Sequence, residues 1–214
     1  MAEEKTEEKE APKTPMMHQI IDKLYLGSFS YENVAENGIQ CILNCAKEIE
    51  VDTDELFHNE KYKGLIKHYK HFPLNDVNGE VIDMSLYNEA LEFIYKNIHE
   101  NKYAVLVHCF EGRSRSATVV LGYLMKYEKD MSLSKAYKLV KSKRSAIRPN
   151  ETFWLFLMNL ELKLFNTDKN TVASDAISKH APKSFVCPFC QKNCGFRQDA
   201  LTAHITTKHK DRQE

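Results

Sequence analysis

The residues of this chain that could do chemistry fall in two places. In the middle, Val105-Leu106-Val107-His108-Cys109-Phe110-Glu111-Gly112-Arg113-Ser114-Arg115-Ser116 runs from an apolar stretch through a thiol to an arginine six positions on. A buried strand entering a glycine-bearing loop, with a helix beginning near Arg115, aims backbone N–H groups at one point. Together with the helix dipole they form an anion site. A cysteine at its base sits in positive potential, which favours the thiolate. Arg115 can return over the loop and bind two phosphate oxygens in a planar fork. A thiolate and a bound phosphate in one cradle imply nucleophilic phosphoryl transfer to sulfur. Near the C-terminus, Cys187-x2-Cys190-x13-His204-x4-His209 offers two thiolates on a tight knuckle and two imidazoles on one helix face. That is a donor set for a closed tetrahedral zinc site.

The elements that must position these residues can be read from pattern. Residues 1–16 form an acidic tail expected to be solvated and disordered, because 1–15 hold five Glu, three Lys and two Pro and almost nothing to bury. Residues 17–166 alternate between strand-like and helix-like patterns. Short apolar runs at Leu24–Leu26, Cys41–Asn44, Ile66–Leu74 and Tyr103–Val107 read as strands. Ser30 is positioned to cap a short helix stopping at Gly38. Asp83 is positioned to cap a helix to about His99, with Leu86, Ala90, Leu91, Phe93, Ile94 and Ile98 on its apolar face. Helices are expected over about 115–127, 132–143 and 150–165. The sum is α/β, with a central, mostly parallel sheet flanked by helices. Residues 167–184 are polar and small and read as a linker, 185–210 as a separate small module, and 211–214 as a tail.

Composition bounds the rest. The 214 residues hold 30 Lys+Arg against 30 Asp+Glu, and 43% are hydrophobic, so the chain can bury one ordinary core and add a small appendage. The zero net charge argues against a strongly basic nucleic-acid binder. It also conceals local bias: Ser134 to Arg148 carries six cations and no acid, and residues 183–214 carry six cations against three acids. No stretch approaches the roughly 18–20 apolar residues of a membrane span. The N-terminus lacks an apolar secretion segment, so reduced thiols and a cytoplasmic and/or nuclear location are expected for Cys41, Cys45, Cys109, Cys187, Cys190 and Cys194.

The fuller pattern His-Cys-x-x-Gly-x-Ser-Arg-Ser-x-Thr resembles the loop of the cysteine-dependent protein tyrosine phosphatases, in its dual-specificity branch. The resemblance extends over roughly residues 17–166, through Ile21–Gly27, Ile42–Ala46, Ala136–Arg144 and Ile147-Arg148-Pro149-Asn150. It implies that Cys109 attacks phosphorus, Arg115 holds the equatorial oxygens, Ser116 stabilises the departing thiolate and His108 orients the loop. No catalytic metal is implied. The acid of this family stands about 30 residues before the cysteine. Asp76 is 33 positions before Cys109 and is the favoured candidate, with Asp83 the alternative. The resemblance also implies that Asn44 and Asn150 brace the loop, although Asn150 serves equally well as a helix cap.

Phe110, Glu111, Gly112, Arg113 and Ser114 are expected to line the mouth of the pocket, and Arg148 to offer a second phosphate contact. Glu111 argues against a phosphoinositide, and Glu111 with Ser114 departs from the RNA triphosphatase loop. The domain lacks the insertion of the larger tyrosine-specific relatives, so the resemblance implies a shallow cleft admitting phosphoserine, phosphothreonine and phosphotyrosine of phosphoprotein substrates. A catalytically silent phospho-binding scaffold and a nucleic-acid- or ribosome-associated phosphatase are the competing readings. Some family members protect the nucleophile by a reversible disulfide, for which Cys45 is the candidate partner. The C-terminal segment resembles a Cys2His2 zinc finger, with Phe196 and Leu201 as its small core and Cys194 as a bystander; RNA, a protein, or nothing beyond its own fold are the open alternatives for what it holds.

Overall fold

The computed structural model describes residues 16–31, 33–62, 64–172, 185–190, 192, 194–195 and 198–210. The expected tail over 1–16 lies outside these residues except for Met16. So do residues 173–184 of the expected linker, Phe196 of the finger, and the tail 211–214.

Five strands form one sheet in the order β1-β2-β5-β3-β4: β1 Met17–Ile21, β2 Leu24–Gly27, β3 Ile39–Ala46, β4 His68–Leu74 and β5 Ala104–His108. Only the β1–β2 pair is antiparallel, closed through Lys23 in a left-handed conformation. The β2–β5, β3–β5 and β3–β4 pairs are parallel. The mostly parallel sheet expected from the sequence is therefore the observed one. β3 and β5 read as apolar runs because both of their faces are covered.

The helices are α1 Thr53–His58, α2 Met84–Tyr95, α3 Arg115–Tyr127, α4 Leu133–Lys143, α5 Glu151–Phe165 and α6 Gln198–Lys208. α3 is buried from Arg115 to Met125 and packs on the sheet between α2, α4 and α5. A fully enclosed helix has no polar face, which explains Ala117, Val119, Val120, Leu121 and Leu124 in close succession. Side-chain caps start α2, α4 and α5: Asp83 accepts from the Ser85 and Leu86 amides, Ser132 from Lys135, and Asn150 from Phe153.

Three expectations are corrected. Residues 33–38 form turns where a helix was expected, and the Ser30 amide donates to the Ser28 carbonyl instead of Ser30 capping a helix. The helix expected from Asp83 to His99 stays α-helical to Tyr95 and widens into a π-helical turn over Lys96–Glu100. Its buried stripe is Tyr87, Ala90, Leu91 and Ile94, while Leu86 is 45% exposed. Tyr87 takes the core position because its hydroxyl donates to the Thr118 carbonyl across the helix interface. Helix α1, which the sequence reading passed over, is one turn and a half long and is fixed by the Asp52 carboxylate accepting from the Asp54 and Glu55 amides.

Candidate active site and metal site

β5 lies between β2 and β3, and its carboxyl end at His108 delivers the loop that precedes α3. Four consecutive carbonyls of that loop are drawn outward. Phe110 accepts from the Phe29 amide at 3.0 Å and Arg113 from the Arg148 amide at 2.8 Å. Glu111 and Gly112 accept from the buried Arg144 guanidinium at 2.9 and 2.8 Å. In trans peptides the next N–H points opposite to each carbonyl, so the loop amides face inward as an anion cradle. Gly112 has φ +67°, and a Cβ there would overlap the Gly27 backbone. The loop thus rests directly on the end of β2, where only glycine fits.

Cys109 lies at the base, with the Ser116 hydroxyl donating to its Sγ at 3.2 Å. The His108 ring is buried, with Nδ1 3.3 Å from the Cys109 carbonyl and Nε2 3.3 Å from the Tyr31 hydroxyl. Burial pushes its pKa down to about 4, and the His71 and Arg115 charges act in the same direction, so the imidazole is neutral.

The Arg115 guanidinium is held in a fork by Glu48, at 2.5 and 2.8 Å, and donates to the Leu74 carbonyl at 3.2 Å. Burial works against its charge, but the Glu48 hydrogen bonds and the charges of Cys109, Glu48 and Asp76 hold its pKa above the ordinary value. Its buried Nε has no hydrogen-bond partner among the described residues. A phosphate oxygen above Cys109 is the acceptor that this donor fits.

Asp76 follows β4 and lies 3.9 Å from Arg115, measured from Oδ2 to Nε. Its Oδ1 accepts from the Ser114 hydroxyl at 2.8 Å and from Asn150 Nδ2 at 2.9 Å. Burial raises its pKa, partly opposed by Arg115 and by those two hydrogen bonds. A carboxyl that holds its proton beside a phosphate cradle can protonate a leaving oxygen. Asp83, the alternative acid, is spent on capping α2.

Cys109, Asp76, Phe110, Glu111, Arg113, Ser114, Arg115 and Arg148 line one cleft of about 220 Å³. Gly112, turned toward Gly27, and Ser116 and His108, beneath the floor, are not among its lining residues. Asn150 both caps α5 and holds Asp76, and its amide donates to Ser114 Oγ at 3.2 Å. Asn44 does not reach the loop. It donates to the Ile49 carbonyl and the Tyr69 hydroxyl and accepts from the Ala46 amide, so it pins the turn carrying Glu48.

Sequence reasoning missed Glu48 and Arg144. Arg144 stands in the cationic run 134–148, which reads as a solvated face, yet it is buried and braces the loop. Glu48 carries no local signal at all: its partner is 67 positions away.

In the C-terminal module, ligand atoms of Cys187, Cys190, His204 and His209 all lie within 4.8 Å of one another. Cys190 Sγ is 3.3 Å from His204 Nε2, and the buried His209 Nε2 lacks a hydrogen-bond partner among the described residues. Two thiols and two imidazoles converging in this way fit a tetrahedral zinc ion. α6 presents His204, and His209 follows its last residue with its amide still bonded to the Ile205 carbonyl. Cys194 is outside the cluster, and its thiol donates to the Lys192 carbonyl.

The sequence profile of the dual specificity phosphatase catalytic domain matches residues 24–163, the span that holds Asp76, Cys109 and Arg115. The chain belongs to the dual specificity phosphatase family. It is 32% identical over 208 residues to the dual specificity protein phosphatase PHS1 of Arabidopsis thaliana, covering 94% of this chain and 20% of that relative. It is 38% identical over 150 residues to human dual specificity protein phosphatase 9, covering 68% and 36%. The chain therefore spans about a fifth to a third of the length of these relatives. Among solved structures, human DUSP28 superposes with a TM-score of 0.58 at 26% identity, over 73% of this chain and 99% of that one. A human tyrosine phosphatase-like serine/threonine/tyrosine-interacting protein superposes with a TM-score of 0.57 at 26% identity, over 70% and 97%. In this dual specificity phosphatase domain, no described helix is long and apolar enough to cross a membrane.

Proposed function

We propose that the chain hydrolyses phosphate monoesters on phosphotyrosine, phosphoserine and phosphothreonine of proteins through a cysteinyl-phosphate intermediate. The observation that carries this reading is the convergence of Cys109, Arg115 and the Asp76 carboxyl on one cleft. Cys109 Sγ attacks phosphorus in line with the ester oxygen, forming the S–P bond as the P–O bond breaks. Arg115 and the inward amides take up the charge of the equatorial oxygens. Asp76 gives its proton to the leaving oxygen. As a carboxylate it then removes a proton from the water that attacks the thiophosphate. Phosphate departs, and the sulfur recovers its electron pair beside the Ser116 hydroxyl.

His108 acts through the loop by holding the Cys109 carbonyl. Arg148 and Arg113, at the cleft mouth, are suited to phosphate or to acidic residues flanking it. The small cleft, with Phe110 41% exposed at its edge, supports a site that does not demand the full depth of a phosphotyrosine ring. Chemistry that depends on a free thiolate suits a reducing compartment, cytoplasmic or nuclear.

The decisive experiment is hydrolysis of a chromogenic aryl phosphate and of a phosphotyrosyl and a phosphothreonyl peptide. All three should be turned over by the unaltered chain and none by Cys109→Ser. Peptide binding without turnover by the unaltered chain would instead establish a phospho-binding scaffold.

A further inference from the structure

The zinc-finger module does not stand apart from the catalytic cleft. Cys194, Gly195 and Ala200 line the same cleft as Cys109, Asp76 and Arg115. Gly195 is buried, with φ +85°. A Cβ on it would stand 3.1 Å from the Asp76 carbonyl oxygen and 3.9 Å from Val77 Cγ1. The backbone at Gly195 is thus seated on the loop that carries the candidate acid, where a side chain would press on the Asp76 carbonyl and would also be strained by the positive φ.

The position of Gly195 follows from the metal knuckle. The Phe185 amide donates to the Gly195 carbonyl at 2.7 Å, Cys194 to Phe185 at 2.8 Å, and Cys187 to Lys192 at 2.8 Å. This ladder brackets the two cysteine ligands, so whatever orders Cys187 and Cys190 also orders Cys194–Gly195. A module of this size lacks the core to fold without a staple, which makes the metal the determinant of that order.

On its other sides the acid loop is already held. Ser114 and Asn150 grip the Asp76 carboxylate, Glu80 accepts from the Asn75 amide and side chain, and the Gly79 amide donates to Thr152 Oγ1. Gly195 meets the same loop at the Asp76 carbonyl and the Val77 side chain.

We propose that the finger is the outer wall of the substrate cleft. The Cys194–Gly195 knuckle backs the acid loop, and Ala200, at the start of α6, borders the path by which the polypeptide flanking a phosphorylated side chain must enter. The finger is then a specificity element for phosphopeptides as well as a separately folded module. This rests on the phosphatase reading above, which hydrolysis of a small aryl phosphate by the unaltered chain tests by itself.

Two measurements on the full chain decide the proposal. The first is hydrogen exchange with no substrate present. Amides of residues 75–77 should exchange faster after zinc is stripped by a chelator, and should recover their protection when zinc is restored. Equal exchange in the zinc-loaded and stripped chains overturns the proposal whether or not the protein proves to be a phosphatase. The second is kinetic. Ala200→Trp, confirmed to retain one zinc per chain, should raise KM for a phosphotyrosyl peptide about tenfold more than KM for the aryl phosphate. Equal changes in the two KM values place Ala200 outside the peptide path and overturn it.

Discussion

Asp76 can act as an acid only while it holds a proton, and its surroundings set the pH at which it lets go. Burial raises its pKa, while the Ser114 and Asn150 hydrogen bonds favour the carboxylate and pull it back. Removing the Ser114 hydroxyl takes stabilisation from the charged form, so the pKa rises further. Ser114→Ala should move the alkaline limb of the kcat profile to higher pH, and a limb that moves downward would count against Asp76 as the acid. Asp76→Asn should lower kcat by about 10²–10⁴-fold and flatten that limb. The second residue-scale prediction concerns Cys45. It is fully buried, and burial together with the Cys109 charge pushes its thiol well above the ordinary value. At neutral pH it is therefore held as the thiol while Cys109 is charged. We expect peroxide to convert Cys109 to a sulfenic acid and the Cys45 thiol to attack it, forming the S–S bond and releasing water. Activity lost to peroxide should return with a dithiol, and peptide mapping should recover a Cys45–Cys109 pair. In Cys45→Ser the loss should become permanent. The residue types and spacing made Cys109, Arg115 and Asp76 legible in the sequence. Glu48 was not, because nothing within its own neighbourhood distinguishes it from other exposed glutamates.

The loop between β5 and α3 is shaped from outside itself. Its carbonyls are pulled outward by Phe29, Arg144 and Arg148, and its turn is closed on β2 through Gly112. Gly112→Ala combines a positive φ with overlap of the Gly27 backbone. It should cost about 2 kcal/mol or more in urea denaturation, with aryl phosphatase activity falling in step. Strands β2 to β5 and helices α3 to α5 were legible because apolar runs, caps and loop residues agree locally. The turns over 33–38 and the π-helical turn were not. There the decision belongs to packing, as with Tyr87 displacing Leu86 from the buried stripe. Arg144 illustrates the same limit from the polar side: six cations in sequence look alike, and only the approach of α4 to the loop selects one for burial.

For the molecule as a whole, His108 ties acid stability to the site. Its pKa is about 4 in the folded chain against an ordinary 6.5 when unfolded, so between these values the unfolded state binds the extra proton. The His108 contribution is fully present above pH 6.5 and is lost as pH falls toward 4, by up to about 3 kcal/mol. Urea unfolding followed from pH 7.5 to 4 should show this fall, and His108→Gln should flatten it. The sequence by itself determined the α/β class, the order of most strands and helices, the thiol–arginine loop and the zinc donor set. Each of these is written in local spacing, because strand, helix, anion loop and metal knuckle are short-range structures. Only the tertiary structure decided that Glu48 grips Arg115, that Arg144 holds the loop carbonyls, and that the finger knuckle meets the Asp76 loop. These contacts join positions 67, 32 and more than a hundred residues apart, and sequence spacing carries no record of which distant surfaces pack together.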